Sequence, residues 1–171
     1  MVFEKIIGSL DQSHKGKEVI TLPYEWYEST NKILKKTASS GERIGLRISQ
    51  PLFDGAIVYE DEGKVIALEL LPCEVTNTHV QSMREMGRVC FELGNRHCPL
   101  SVSETAVKTP YDSATFEYLQ KKGFECEKVY EKFIPEFTVK GHGHHSDSDY
   151  VHHLTGISAT GHHHHGGGFA H

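Results

Sequence analysis

Residues 78–100, THVQSMREMGRVCFELGNRHCPL, decide the fold. Thr78 with Gln81 three residues later matches a capping box, which satisfies amides left free at a helix start. Met83, Met86, Cys90 and Leu93 then recur at spacings of three, four and three. That is a helical stripe, read as ordinary core. Gly94 is the expected C-cap, and Asn95 also tolerates left-handed backbone. The helix should therefore stop just before His97. Extending the stripe by four from Leu93 reaches His97, which places it near the apolar seam. Gly87 weakens the helix, a cost that is acceptable where another backbone comes close.

Outward from this helix the pattern is β. Residues 75–80 read as a strand before it. Residues 100–103 and 106–108 read as a short hairpin after it. Asp112 or Ser113 caps a second helix through Phe116, Leu119 and Lys122, and Gly123 stops it. Residues 124–133 form a last strand. Strand, helix, two strands, helix, strand is the ferredoxin-like arrangement. Upstream, residues 1–73 read as short strands between turns. In 43–48, Ile44, Leu46 and Ile48 alternate with polar neighbours, as a half-buried strand requires. Residues 56–59 and 64–70 read as a hairpin across Asp61-Glu62-Gly63. The expected fold is α+β: a small β-sandwich or barrel over 1–74, a ferredoxin-like domain over 75–138, and a His-rich tail over 139–171.

Composition narrows the function. Hydrophobic residues make up 37% and the formal charge is −5 with histidine neutral. No apolar run approaches the roughly 18 residues of a membrane span. Met1 to Lys5 has no apolar core of a signal peptide, so a soluble cytoplasmic protein is expected. Lys and Arg form no basic stripe among aromatics, which argues against nucleic acid. The cysteines at 73, 90, 98 and 126 include no Cys-x-x-Cys pair and are expected to be free buried thiols. Trp26, beside Tyr24 and Tyr27, is expected in the core. His14 and His79 are expected to be solvated, with the first turn of the helix as the other place for His79.

Ten of the thirteen histidines lie from His142 onward. His142, His144, His145, His152, His153 and the run His162, His163, His164, His165 stand among Gly, Ser and Asp. Few apolar residues remain to offset the entropy of ordering, so disorder without metal is expected. Neutral imidazole suits nickel, copper and zinc. Clustered imidazoles on a pliant chain fit capture and release. The interleaving argues against a purification tag. A lone histidine such as His97 is ordinarily a hydrogen-bonded surface or core residue; the tail raises its claim to ligate a metal. One histidine holds no ion alone, but two copies meeting on a two-fold axis could, with tails as further ligands. Cys98 beside His97 has no evident third group to orient it as a nucleophile. No P-loop, His-Glu-x-x-His or Gly-x-Gly-x-x-Gly pattern occurs.

Glu85-Met86-Gly87, then Phe91-Glu92-Leu93-Gly94-Asn95-Arg96-His97, followed by a His-rich end, resemble the urease accessory protein E family, the nickel metallochaperones of urease maturation. The resemblance implies an N-terminal domain that binds peptide or a partner protein. It also implies a dimerising ferredoxin-like domain in which His97 of two subunits binds Ni(II), supported by Gly94, Asn95 and Arg96. Tail histidines would complete or feed that site. Some members carry a His-x-His pair in the next strand region; Thr105-Ala106-Val107-Lys108-Thr109 offers none, so that peripheral site is not expected.

The resulting expectation is a homodimer, with a metal-bridged higher oligomer as the alternative. It collects Ni(II), with Zn(II) or Cu(II) as alternatives, and performs no enzymatic chemistry. Its expected partners are the urease GTPase accessory protein and the urease apoprotein–accessory complex. Imidazole binds metal only when deprotonated, so occupancy should fall below about pH 6.5; equal affinity at pH 7.5 and 5.5 would sink that. A Zn or Ni storage protein is the competing reading; a peptide-binding chaperone with an incidental tail is another.

Overall fold

The computed structural model describes residues 1–138; the tail and the disorder expected of it lie outside them. The chain opens with β1 (Val2–Phe3), β2 (Gly8–Ser9), β3 (Glu18–Tyr24), β4 (Ile33–Thr37), β5 (Arg43–Arg47), β6 (Ala56–Glu60) and β7 (Lys64–Leu70). These make two sheets, ordered β1-β5-β4 and β2-β6-β7-β3. Leu34, Ile44 and Leu46 of the first share one core with Leu22, Tyr24, Val58, Ile66 and Leu68 of the second. Ile44, Leu46 and Ile48 are buried, as their alternation requires. The 56–59/64–70 hairpin forms. Two pairings were not legible in sequence: β1 runs parallel to β5, and β3 parallel to β7. His14 is a correction. It is only 11% exposed, with Nδ1 2.9 Å from the Asp11 carboxylate and Nε2 3.5 Å from Glu60.

The chain continues through β8 (Pro72–His79), α1 (Met83–Asn95), β9 (Ser101–Val102), β10 (Ala106–Pro110), α2 (Ser113–Lys121) and β11 (Glu125–Lys132). Four strands form one sheet in the order β11-β8-β10-β9, antiparallel throughout. Val89 and Leu93 of α1 and Leu119 of α2 are fully buried with Val107 and Phe124. The protein is α+β. Trp26 stacks edge-on against the buried Phe133, 5.4 Å between centroids, and Lys132 bonds Asp54 at 2.6 Å. Tyr24 is buried, but Tyr27 is 61% exposed. The four cysteines are free and half-buried, and burial pushes the thiols of Cys73, Cys90 and Cys126 up.

The start of α1 departs from expectation. Thr78 lies buried in β8, so it caps nothing. Ser82 is the N-cap, its hydroxyl accepting the Glu85 amide at 3.2 Å, while Glu85 accepts the Gln81 amide at 2.8 Å. The strand runs through Thr78 to His79, within the 75–80 expected, so the cap falls at Ser82 instead. Ser82→Ala should cost about 1 kcal/mol in chemical denaturation; an unchanged midpoint would show that the cap is dispensable.

Asp112 caps α2, accepting the Thr115 amide at 2.8 Å, and Thr115 holds its carboxyl below the usual range. A depressed carboxylate pKa adds stability above the unfolded-state value and loses it as pH falls through the folded one. The melting gap between wild type and Asp112→Ala should therefore be full above about pH 4 and close below it. A gap that persists at low pH would remove the charge from this account.

Candidate metal site

The two helices end in the same turn, built from different residues. After α2, Gly123 takes φ +85°, its amide bonding the Gln120 carbonyl at 2.9 Å, and the Phe124 amide bonds Leu119 at 3.1 Å. After α1, the His97 amide bonds the Gly94 carbonyl and the Cys98 amide bonds Leu93, each at 3.0 Å. This double bond pattern is the Schellman motif, which calls for a left-handed residue at the position after the cap. Gly123 meets that need without strain. At α1 the position belongs to His97, with φ +56°. Among the described residues it is the one non-glycine with positive φ. A side chain there costs about 1–2 kcal/mol, and such strain collects at functional positions.

Two expectations are corrected here. Gly94 is not the C-cap; it lies inside α1, with Arg96 as cap. His97 does not continue the helical stripe, because the chain has already turned; it is exposed rather than set on the apolar seam. Leu93 is buried in the α1–α2 core and Cys98 packs against that core, at the two positions where this motif favours apolar side chains.

The turn is braced from α2. The Arg96 guanidinium lies 4.7 Å from the Tyr118 ring centre and its Nε is 3.4 Å from the Thr115 hydroxyl. The Tyr118 hydroxyl donates to Glu92, and Lys122 sits 3.4 Å from the same carboxylate. The Tyr118 bond first, then Lys122, holds the Glu92 carboxyl below its usual range. Arg96 thus positions the turn. The last turn of α1 carries no basic side chain, and the cap residue Arg96 is the cation that meets the negative end of its dipole.

From below, the Thr109 hydroxyl donates to the Pro99 carbonyl at 2.8 Å. Leu100 exchanges backbone bonds with Phe137, at 2.9 and 3.0 Å. The described chain therefore ends beside a residue only three positions from His97. Nothing in the periodicity of 134–138 announced that return, since its pairing is with a distant loop.

The outer face of α1 carries Met83, 90% exposed, and Phe91, 66% exposed, two turns apart. Met83 is thus not core, a further correction: the buried stripe is Met86, Val89, Cys90 and Leu93. Gly87 lies between the two exposed residues, and a Cβ there would meet nothing within 4 Å. The close backbone expected against Gly87 is absent among the described residues. No three His, Cys, Asp or Glu among them converge on a metal position. The tail histidines His142, His144, His145, His152, His153 and His162 to His165 lie outside them. No helix among them is long and apolar enough to cross a membrane.

Fold and site define an α+β protein that offers a strained, exposed histidine at a helix terminus. Residues 73–171 match the family model described as UreE urease accessory protein, C-terminal domain. The urease accessory protein UreE of Flavobacterium johnsoniae is 32% identical over 154 residues, 86% of this chain and 93% of that protein. That of Actinobacillus pleuropneumoniae is 38% identical over 136 residues, covering 75% and 73%. That of Acetivibrio thermocellus is 33% identical over 152 residues, covering 86% and 99%. The chain belongs to the UreE urease accessory protein family.

Proposed function

We propose that this chain is a nickel metallochaperone of urease maturation, which gathers Ni(II) and passes it on without covalent chemistry. The observation that carries the reading is His97: an exposed imidazole in a left-handed backbone position that a glycine would fill at lower cost. Family membership supports the urease context. The order β11-β8-β10-β9, with a helix in each crossover, supports a ferredoxin-like reading of 75–138. The two facing sheets support a β-sandwich reading of 1–74 as the partner-binding part.

The outer face of α1 is the dimer seam in this reading. Met83 and Phe91 supply apolar contact, and bare Gly87 lets a partner helix come close. Each subunit then brings one His97 toward the two-fold axis. Phe137 pairs with Leu100, three residues after His97; the tail histidines nearest in sequence, His142, His144 and His145, are on the same chain as His97 and in this reading act at high effective concentration. The more distant pairs and the run of four collect metal. Zn(II) and Cu(II) suit the same imidazoles. The client is the urease apoprotein with its accessory proteins, the GTPase among them, in the cytoplasm.

The test is nickel calorimetry with light scattering on the full chain and on His97→Ala. Loss of the tightest ion, about one per dimer, with tail binding retained supports the reading. Identical isotherms defeat it. A metal store with no client differs in one respect: it would show no binding to the GTPase accessory protein.

A further inference from the structure

The outer face of the sheet β1-β5-β4 gathers positive charge on an acidic protein. Residues 1–5 and 31–49, which hold this sheet and its ends, carry six Lys and Arg against two Asp and Glu; the other described residues carry eleven against nineteen. Leu34, Ile44 and Leu46 face the core. Strand alternation therefore turns Ile33, Lys35 and Thr37 of β4 outward, with Arg43, Gly45 and Arg47 of β5. Register sets Ile33 beside Arg47, Lys35 beside Gly45 and Thr37 beside Arg43, with Val2 of β1 on the far side of Gly45. Ile33 is 67% exposed and Val2 61%. Of the six cations, only Lys36 has a close ion-pair partner, Glu28. Arg47 comes no nearer than 3.6 Å to Glu4, and both side chains are open to water, so that pair is worth little. A lysine on an edge strand commonly guards it against pairing, which accounts for Lys35 on β4. It does not account for two arginines on β5, the central strand. Nor does it account for Ile33, an exposed aliphatic side chain that an edge guard would exclude.

We propose that this face docks a short acidic segment of a partner protein, whose carboxylates meet Lys35, Arg43 and Arg47 and whose apolar side chain settles against Ile33 and Val2. Charge complementarity selects the occupant: unpaired cations of one sign repel one another until carboxylates stand among them. The spacing suits an extended segment. Lys35 and Arg43 are diagonal neighbours across the β4–β5 pair, roughly 7–8 Å apart. Alternate side chains of an extended chain stand about 7 Å apart on one side. None of the outward side chains is aromatic, so nucleic-acid bases have nothing to stack on. A long nucleic acid or an anionic membrane would extend past the face onto the acidic remainder of the protein, where it is repelled; a short segment stays within the face. The inference rests on the reading of 1–74 as the partner-binding part and not on His97 or nickel.

The test is fluorescence anisotropy of a labelled peptide in which glutamate and valine alternate, titrated with the full chain at pH 8 in the presence of a chelator. The imidazoles are then neutral and free of metal. Amide shifts of nitrogen-15 protein locate the peptide. It should bind, move the amides of 33–37 and 43–47, and weaken as salt is raised. Lys35→Glu combined with Arg43→Glu should weaken it about tenfold or more. The milder Lys35→Gln with Arg43→Gln should act in the same direction, and Ile33→Ser should cost about fivefold. These side chains are exposed, and nickel binding should be unchanged in every variant. An affinity that survives both double variants overturns the proposal. So does equal binding of the peptide with glutamine in place of glutamate, or no binding at millimolar peptide. Tighter binding of polyuridylate or of phosphatidylserine vesicles to the same residues gives the face to another class of partner and overturns it too. Shifts confined to other strands of 1–74 defeat this face and leave the partner-binding reading standing.

Discussion

His97→Gly is expected to raise the stability of the metal-free protein while abolishing the nickel site proposed at His97. Glycine takes the left-handed position at the end of α1 without a Cβ penalty, as Gly123 does after α2. The gain should be about 1 kcal/mol, or about 2–4 °C in melting temperature for a chain of this size. His97→Ala keeps the Cβ and the strain, so its stability should stay within about 0.5 kcal/mol of wild type. Both variants should lose the tightest nickel ion. Melting at one fixed protein concentration, beside nickel calorimetry, separates the two effects. If glycine brings no gain, the turn is not strained. If nickel binding survives both changes, the histidine was retained for another reason.

Phe91→Glu should convert the proposed dimer into monomer and remove the proposed shared nickel site with it. Phe91 is 66% exposed, so a carboxylate costs the monomer little. On a helix seam it replaces an apolar anchor with a charge facing its own copy across the two-fold. Loss of such an anchor costs about 2–4 kcal/mol, a weakening of the dimer of roughly 30-fold to nearly 1,000-fold. Met83→Glu should act in the same direction and less strongly, since Met83 lies at the first turn of α1. Light scattering across a dilution series reads the outcome. A dimer mass that persists in Phe91→Glu would move the seam elsewhere.

Much of this was legible in the residues. The strands 43–48, 56–59 and 64–70 and both helices follow from alternation and from the three-four spacing, which depend on neighbours along the chain. The Gly94-Asn95-Arg96-His97 stretch marks the end of α1 in sequence, but composition puts the left-handed position on the wrong residue. Gly94 drew the C-cap because glycine usually fills it. Two residues of further helix moved the left-handed position to His97. The motif's apolar pair, Leu93 and Cys98, was visible at its spacing of five and points to the same turn.

By itself the sequence determined the α+β class, the order of elements in 75–138 and the family, because each rests on local pattern or residue identity. Tertiary structure alone decided the parallel pairings of β1 and β3, the bracing of Arg96 on Tyr118, the exit of the chain beside Leu100, and the meeting of Asn77 and His79 with Glu127. Each of these joins residues far apart in the chain. Such contacts are set by strand register and by which faces bury together, and neither has a local signature.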